Sequence, residues 1–318
     1  MEEIFAPKPK AGEPWDVVIV GSGPAAFTAA IYTTRGAAST LIVGGEKWGG
    51  QLMLTTVVDN YPGFPDGIQG PDLMVAMRKQ AERFGGQFVQ SSVESVDLSK
   101  KPFEVSSAGT KYLAKTIIIA TGAATLWLDA LGISKLIGRG VSSCAPCDAP
   151  FFKGKRVAVV GGGDSAMEEA LVLTKYATEV TIIHRRDEFR ASQAMQQKVL
   201  GSGKVKVLWN TEVTEAVGEA KLERVLLKNN KDGTTSELAL DGLFIAIGHK
   251  PETDLFVGKI GVDERGYIKV TENSKTSVPG VFVAGDVHDW HYKQAVTAAG
   301  FGCMAGMDVL ALLAELKG

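Results

Sequence analysis

At 318 residues the chain exceeds the size at which a single hydrophobic core keeps growing, so two domains are expected. Hydrophobic residues make up 45% and charged residues 22%, the proportions of a globular protein, and a net charge of -2 without blocks of like charge excludes electrostatic capture of nucleic acid or of an anionic membrane. Three cysteines are too few, and odd in number, for an extracellular disulfide framework; no run of about 18 apolar residues is read, so no membrane span is expected and a cytoplasmic address follows.

Residues 1–14 carry Glu2, Glu3, Lys8 and Lys10 with three prolines and no apolar segment of signal-peptide length, and are expected to form a mobile tail. The 37 glycines are well above the usual share of about 7%, and they fall at junctions between strand and helix patterns rather than in a repeat tract. The first such junction follows the apolar run Trp15-Asp16-Val17-Val18-Ile19-Val20: Gly21-Ser22-Gly23-Pro24-Ala25-Ala26, then a helical pattern over 27–35. Strand, G-x-G-x-x-A and helix in that order form a dinucleotide-binding turn. Gly21 makes the bend, Gly23 lets backbone approach a pyrophosphate, and Ala26 allows close packing of helix on strand.

The next strand, 39–43, ends in Gly44-Gly45 where an acid would grip a ribose, and Glu46 comes late for that role. Gly49-Gly50-Gln51-Leu52 and Asp59-Asn60-Tyr61-Pro62-Gly63-Phe64-Pro65 read equally as loop punctuation or as ligand-lining turns. A helix is expected from Gly70-Pro71 to Phe84, where Leu73, Met74, Met77 and Ala81 recur at helical spacing. A meander over 93–105 follows, and a buried strand then runs into Ala120-Thr121-Gly122, the position at which an open α/β sheet offers a ligand crevice.

Cys144-Ala145-Pro146-Cys147-Asp148 comes next. Two thiols at this spacing form a reversible disulfide or half of a zinc site, and the motif alone leaves both open. A second strand–G-x-G-x-x-A–helix unit follows, 155–160, Gly161-Gly162-Gly163-Asp164-Ser165-Ala166 and 167–175; two such units imply two dinucleotides. Its next strand, 179–183, ends in His184-Arg185-Arg186-Asp187-Glu188-Phe189-Arg190 instead of an acid. Arginines there hold a 2′-phosphate by bidentate hydrogen bonds and favour NADPH over NADH, unless Asp187 and Glu188 neutralise the cluster locally. Strands over 205–217, 222–228 and 237–240 surround the turn 229–233, and 242–248 repeats the earlier strand ending in glycine. Val281-Phe282-Val283-Ala284-Gly285-Asp286 is a strand ending in an acid that either accepts from a cofactor's polyol chain or caps a helix, and a helical stretch covers 293–316. Within it, Cys303 reads as a packed helix residue.

These motifs, in this order over nearly the whole chain, resemble the low-molecular-weight thioredoxin reductases, flavoprotein disulfide reductases with two dinucleotide sites. The resemblance implies an α/β protein of two Rossmann-like, three-layer domains, one inserted into the other. An FAD domain would comprise 1–123 and 251–318, an NADPH domain carrying the dithiol 124–250, and the protein would be a homodimer. It assigns Gly21, Gly23, Pro24, Ala25, Gly50, Gln51, Leu52, Asn60, Ala120, Thr121, Gly122, Gly285, Asp286, Gln294 and Ala295 to FAD. Gly161, Gly163, Asp164, Ser165, His184, Arg185, Arg186 and Arg190 fall to NADPH, and no residue to a metal. Cys147 would face the flavin, Cys144 would attack the disulfide of thioredoxin or a thioredoxin-like small dithiol protein, and Asp148 would shuttle protons.

The implied cycle runs from NADPH to FAD to the Cys144–Cys147 disulfide and on to the partner, with one domain rotating about junctions near Ala123 and 250–253. The chain departs from the family pattern at Pro146, at Lys293 in place of an arginine, and in the added aromatics Trp48 and Trp290. The reductase component of an alkyl hydroperoxide reductase system resembles the dithiol region too, but prefers NADH and carries an extra dithiol domain. A dithiol oxidase is the third enzyme reading. A zinc-binding non-enzyme would need ligands beyond Cys303 and the four histidines, which show no ligand spacing.

Overall fold

The computed structural model describes residues 8–316, so Met1 to Pro7 of the expected tail lie outside the described residues. The chain divides into two compact units: the residues up to Ala124 with those from Lys250 onward, and Thr125–His249.

In the first unit, Trp15–Val20, Thr40–Val43 and Gln87–Val89 run parallel, and Thr110–Ile119 lies on the other side of Trp15–Val20. Val281–Val283 pairs in parallel with Thr110–Ile119, while Phe103–Ser107 and Val93–Asp97 continue from it as the antiparallel meander, making a seven-stranded sheet. The central strands are apolar on both sides because both faces are covered: Val17, Val18, Ile19, Ile117, Ile118 and Ile119 are all fully buried. The helix Pro24–Arg35 starts with proline in its first turn, where no amide donor is needed, and packs its alanines on the sheet.

The last helix, Ala295–Glu315, lies on Pro24–Arg35 through small residues, since a Cβ on Gly302 would sit 2.2 Å from the Ala25 carbonyl oxygen. By length and composition this 21-residue helix is apolar enough to cross a membrane, which corrects the reading that no such run exists. Its face of Ala298, Ala299, Gly302, Ala305, Gly306, Val309 and Leu313 is buried, and Asp308 accepts from the amide and hydroxyl of Ser274, as in a core helix.

The second unit repeats the plan on a smaller scale. Val141–Ser142, Gly242–Ile245, Arg156–Val160, Glu179–Ile183 and Val205–Leu208 form a parallel five-stranded sheet in that spatial order. Asp164–Thr174 follows the glycine turn, and a separate antiparallel sheet holds Thr211–Val217, Arg224–Asn229 and Thr235–Ala239. Two helices escaped the sequence reading, Ile133–Leu136 and Gln193–Leu200: the first is a single turn, and the second buries only Val199. The segments Ala123–Thr125 and His249–Pro251 pair as a two-stranded ribbon where the chain crosses between units.

Candidate active site

Both glycine turns are built by one device. A Cβ on Gly21 would lie 2.1 Å from the Ala120 carbonyl oxygen, and a Cβ on Gly161 would lie 2.4 Å from the Ala246 carbonyl oxygen. Each turn thus leaves its strand at van der Waals contact with the end of the neighbouring parallel strand. At Gly23 and Gly163 the reverse holds: a Cβ would meet nothing within 4 Å, so the amides ahead of each helix face open space. Unpaired first-turn N–H groups and the helix dipole make such a place favourable to an anion.

Around the first turn, Ser22, buried and unremarked in the sequence, donates to the Gly44 carbonyl and accepts from the Gly49 amide at 3.0 Å. It ties three glycine loops together. Gly50 then lies against the first loop, with a Cβ position 3.7 Å from Gly23 Cα, and opens the short 3-10 turn Gly50–Leu54 that holds an exposed Gln51 and a half-buried Leu52. Asn60 donates to the Gln294 side chain at 3.3 Å, just ahead of Ala295. Thr121 is engaged by its own unit, its hydroxyl donating to the Glu252 carbonyl at 2.7 Å, while the Gly122 carbonyl accepts from the Glu252 amide.

Gly285 takes φ +79, and a Cβ there would press on Ala25 at 2.8 Å, so the end of Val281–Val283 passes tightly beside the first helix. Asp286 follows. It caps no helix, because the last helix is preceded by Gln294 and the intervening turn is held by Asp289, which accepts from the amides of His291, Tyr292 and Lys293. Asp286 Oδ1 is buried with no partner, and burial, reinforced by Asp289 and opposed by Lys293, pushes its carboxyl up to about 7. A buried acceptor without a donor is what a polyol hydroxyl would satisfy. Trp48 packs edge-on against Phe27 and Phe88 at 6.1 and 5.9 Å, a core place, whereas half-exposed Trp290 carries the Arg265 guanidinium 4.5 Å from its ring centre.

In the second unit the basic loop is clamped onto the glycine turn: the amides of Arg190 and Ala191 donate to the Gly162 carbonyl at 2.8 and 3.1 Å. Arg185, Arg186 and Arg190 are exposed, as is Ser165 at the turn. Asp187 pairs with Lys231 at 3.1 Å, and none of the three arginines has an ion pair among the described residues. Asn230 donates to the Arg185 carbonyl at 3.2 Å, and the Asn210 amide donates to that of Arg186 at 3.0 Å. Two of the residues assigned to NADPH are placed as supports. Asp164 accepts from the amide and hydroxyl of Ser192 at 2.9 and 3.0 Å; His184 is buried under Gly162, its Nε2–H donating to the Glu188 carbonyl at 2.9 Å.

Cys144 and Cys147 are disulfide-bonded, with Cα atoms 5.3 Å apart. Cys144 precedes the single helical turn Ala145–Asp148, and its carbonyl accepts from the amides of Cys147 and Asp148. Pro146 lies in that first turn, where its missing N–H would have had no partner, so the departure from the family pattern leaves the turn intact. Ser142, buried at the end of its strand, accepts from the Cys144 amide at 3.1 Å and donates to the Asp148 carboxylate. Burial raises Asp148 above the ordinary carboxylate range, and the Ser142 hydrogen bond pulls the other way. A half-buried acid thus lies next to the disulfide, poised to hold a proton that an exposed aspartate would give up. No group of three or more metal-ligating side chains is found among the described residues, and Cys303 is half-buried with Sγ 3.9 Å from Met307 Sδ.

Residues 15–302 match the family described as pyridine nucleotide-disulphide oxidoreductase. A thioredoxin reductase of Streptomyces clavuligerus is 51% identical over 304 residues, covering 95% of this chain and 94% of its own, and one from Rickettsia felis is 50% identical over 92% and 96%. The chain belongs to the thioredoxin reductases. Its fold agrees with theirs, since the solved thioredoxin reductase from Giardia duodenalis superposes with a TM-score of 0.91 at 42% identity, covering 95% of this chain and 99% of that one. Its redox centre is the disulfide pair Cys144 and Cys147. What motif reading missed is the groups that hold each site in place: Ser142 at the dithiol, Ser22 at the first glycine turn, and Ser192, Asn210 and Asn230 around the second turn and its basic loop, each revealed only by proximity in space.

Proposed function

We propose that the protein passes electrons from NADPH through FAD and the Cys144–Cys147 disulfide to thioredoxin or a thioredoxin-like small dithiol protein, working in the cytoplasm as a homodimer. The observation that carries this reading is the dithiol itself, disulfide-bonded beside an acid of raised pKa in the unit that also bears an arginine-rich loop. FAD fits the first unit: Gly21 makes the tight turn against Ala120, Gly23 leaves room for its pyrophosphate, and Asp286, with a buried oxygen lacking a donor, suits its polyol chain. Gly50, Gln51, Leu52 and Asn60 would line it on one side and Ala120, Thr121, Gly122, Gln294 and Ala295 on another. NADPH fits the second, its pyrophosphate at Gly161 and Gly163 beside Ser165 and its 2′-phosphate on Arg185, Arg186 and Arg190, while Lys231 engages the neighbouring Asp187. FAD supplies the exchange of a hydride from NADPH for an electron pair at the disulfide.

The chain's own residues do the rest. Taking up two electrons and two protons, the Cys144–Cys147 disulfide opens to a dithiol. The Cys144 thiolate attacks one sulfur of the partner's disulfide, and the partner's other sulfur leaves as a thiolate, to which Asp148 gives a proton. Cys147 then attacks Cys144 in the mixed disulfide, restoring the internal bond and releasing the reduced partner. Apolar side chains left exposed along the last helix, Val296, Met304 and Met307, with Tyr32 on the first helix, support association of two copies.

The deciding test is Cys144→Ser assayed with NADPH and thioredoxin. It should keep NADPH-driven bleaching of the bound flavin and lose thioredoxin reduction; retention of both overturns the assignment. In the wild type, consumption of NADH with a peroxiredoxin would favour a hydroperoxide reductase component, and consumption driven by oxygen alone a dithiol oxidase.

A further inference from the structure

Glu169 sits on the helix Asp164–Thr174, which buries Ala166, Met167, Ala170 and Leu173 and turns Glu168 to solvent. Glu169 is half-buried on the side that meets the dithiol turn. That turn presses Ala145 and Ala149, both fully buried, into the same core cluster as the helix. The amide of Ala145, the residue directly after Cys144, donates to Glu169 Oε2 at 3.0 Å. A carboxylate is thereby held against the backbone between two cysteines whose Cα atoms are 5.3 Å apart. We propose that Glu169 tunes the dithiol: its carboxylate, anchored between the two cysteines, opposes thiolate formation and makes the reduced pair a stronger reductant.

The sign follows from charge. Disulfide plus two electrons and two protons gives the dithiol, and above the thiol pKa one proton is lost again to give a thiolate. A neighbouring anion destabilises that thiolate, whereas cations near a cysteine do the opposite. On the elements packed against the turn in this unit, the other ionisable groups are Asp148 on the turn and Asp164, Glu168 and Lys175 along the helix, with Lys153 after the following 3-10 turn and Lys155, whose ammonium lies 5.3 Å from the Phe152 ring centre. Asp164 is engaged by Ser192, and Glu168, Lys153, Lys155 and Lys175 are exposed, so Glu169 and Asp148 are the ionisable groups that face the pair, and Asp148 is the one whose pKa burial raises. Glu169 also shares its helix with the open glycine turn, which joins the dithiol to the second dinucleotide turn through one rigid element.

The inference rests on the reading of Cys144–Cys147 as the redox couple, and one experiment separates the two. The flavin-loaded enzyme is reduced with NADPH under anaerobic conditions, and the rate of thiol alkylation by iodoacetamide is followed against pH in wild type, Glu169→Gln and Glu168→Gln. Glutamine keeps an acceptor for the Ala145 amide and deletes the charge, so about tenfold more thiolate is expected at a given pH below the thiol pKa. Above that pKa the same factor makes the dithiol midpoint about 30 mV more positive, since tenfold in a two-electron equilibrium is that much. Glu168→Gln should follow the wild-type curve. An unshifted curve in Glu169→Gln, or an equal shift in Glu168→Gln, overturns the inference; should Glu169→Gln fail to fold, Glu169→Ala must show the same downward shift in thiol pKa. A wild-type enzyme that yields no NADPH-dependent alkylatable thiols would instead overturn the redox reading itself.

Discussion

Replacing Asp286 by asparagine should make the flavin-free protein more stable and the flavin-loaded protein weaker. Asp286 carries a buried oxygen without a partner, and its carboxyl is pushed from an ordinary 3.8 to about 7. Because the folded pKa is the higher one, the folded state holds its proton while the unfolded chain has already lost it. Stability is therefore full below pH 4, falls as pH rises through the interval, and has lost its full share above pH 7. An interval of about three pH units corresponds to roughly 4 kcal/mol at 1.36 kcal/mol per unit, an upper bound because the protein relaxes and water penetrates. Asparagine imitates the neutral carboxyl at every pH. Urea unfolding of the two apoproteins at pH 4.5, 6 and 8 should give similar midpoints at the lowest pH, with the variant ahead by up to ~4 kcal/mol at pH 8. FAD should then bind the variant less tightly, by up to about tenfold at pH 8, because the neutral amide oxygen accepts from a polyol hydroxyl more weakly than a carboxylate does. Parallel pH dependences in the two apoproteins, or a variant less stable than wild type at pH 8, would refute the reasoning.

Three further substitutions separate the roles of the two units. Gly21→Ala would place a methyl 2.1 Å from the Ala120 carbonyl oxygen and should abolish FAD retention, whereas Gly161→Ala, with 2.4 Å to the Ala246 oxygen, should leave a yellow protein that NADPH no longer bleaches; absorbance at flavin wavelengths checks both. Arg186→Ala or Arg190→Ala should raise the KM for NADPH by about 10- to 100-fold and leave that for NADH unchanged, as steady-state kinetics with both nucleotides will show. Ser142→Ala removes the hydrogen bond that lowers the Asp148 pKa, so the basic limb of the pH–rate profile for thioredoxin reduction should move to higher pH.

Much of the fold was legible because its signals are local. Apolar runs such as Trp15–Val20 and Glu179–Ile183 coincide with the strands read for them, since a parallel strand covered on both faces has no polar alternation to obscure its ends. Helix starts were read three residues late at Pro24 and Asp164, because the glycine turn gives up its amides to the helix earlier than apolar periodicity begins. The last helix was read from Lys293, but Lys293 sits at φ +48 and Asp289 holds the amides there, so the helix waits until Ala295. Gln193–Leu200 went unseen since one buried residue in two turns leaves no stripe to detect.

The site divides along a different line. Residues whose chemistry demands a particular type at a particular spacing were visible: glycines where a Cβ would strike a carbonyl, arginines where an acid would repel phosphate, two sulfurs within reach of each other. Residues that act by holding others were not, because a serine or glutamate becomes informative only once its partner is known. Ser142 could be any strand residue until its oxygen is found between the Cys144 amide and Asp148, and His184 carries the same letter whether it faces phosphate or lies beneath Gly162. Glu168 and Glu169 are adjacent and identical in type, yet a rotation of one helical residue turns one to water and the other to the Ala145 amide. The dithiol's potential and proton supply are therefore set by side chains that no motif names, and a second chain with the same Cys-x-x-Cys-Asp would differ in reducing power wherever those partners differ.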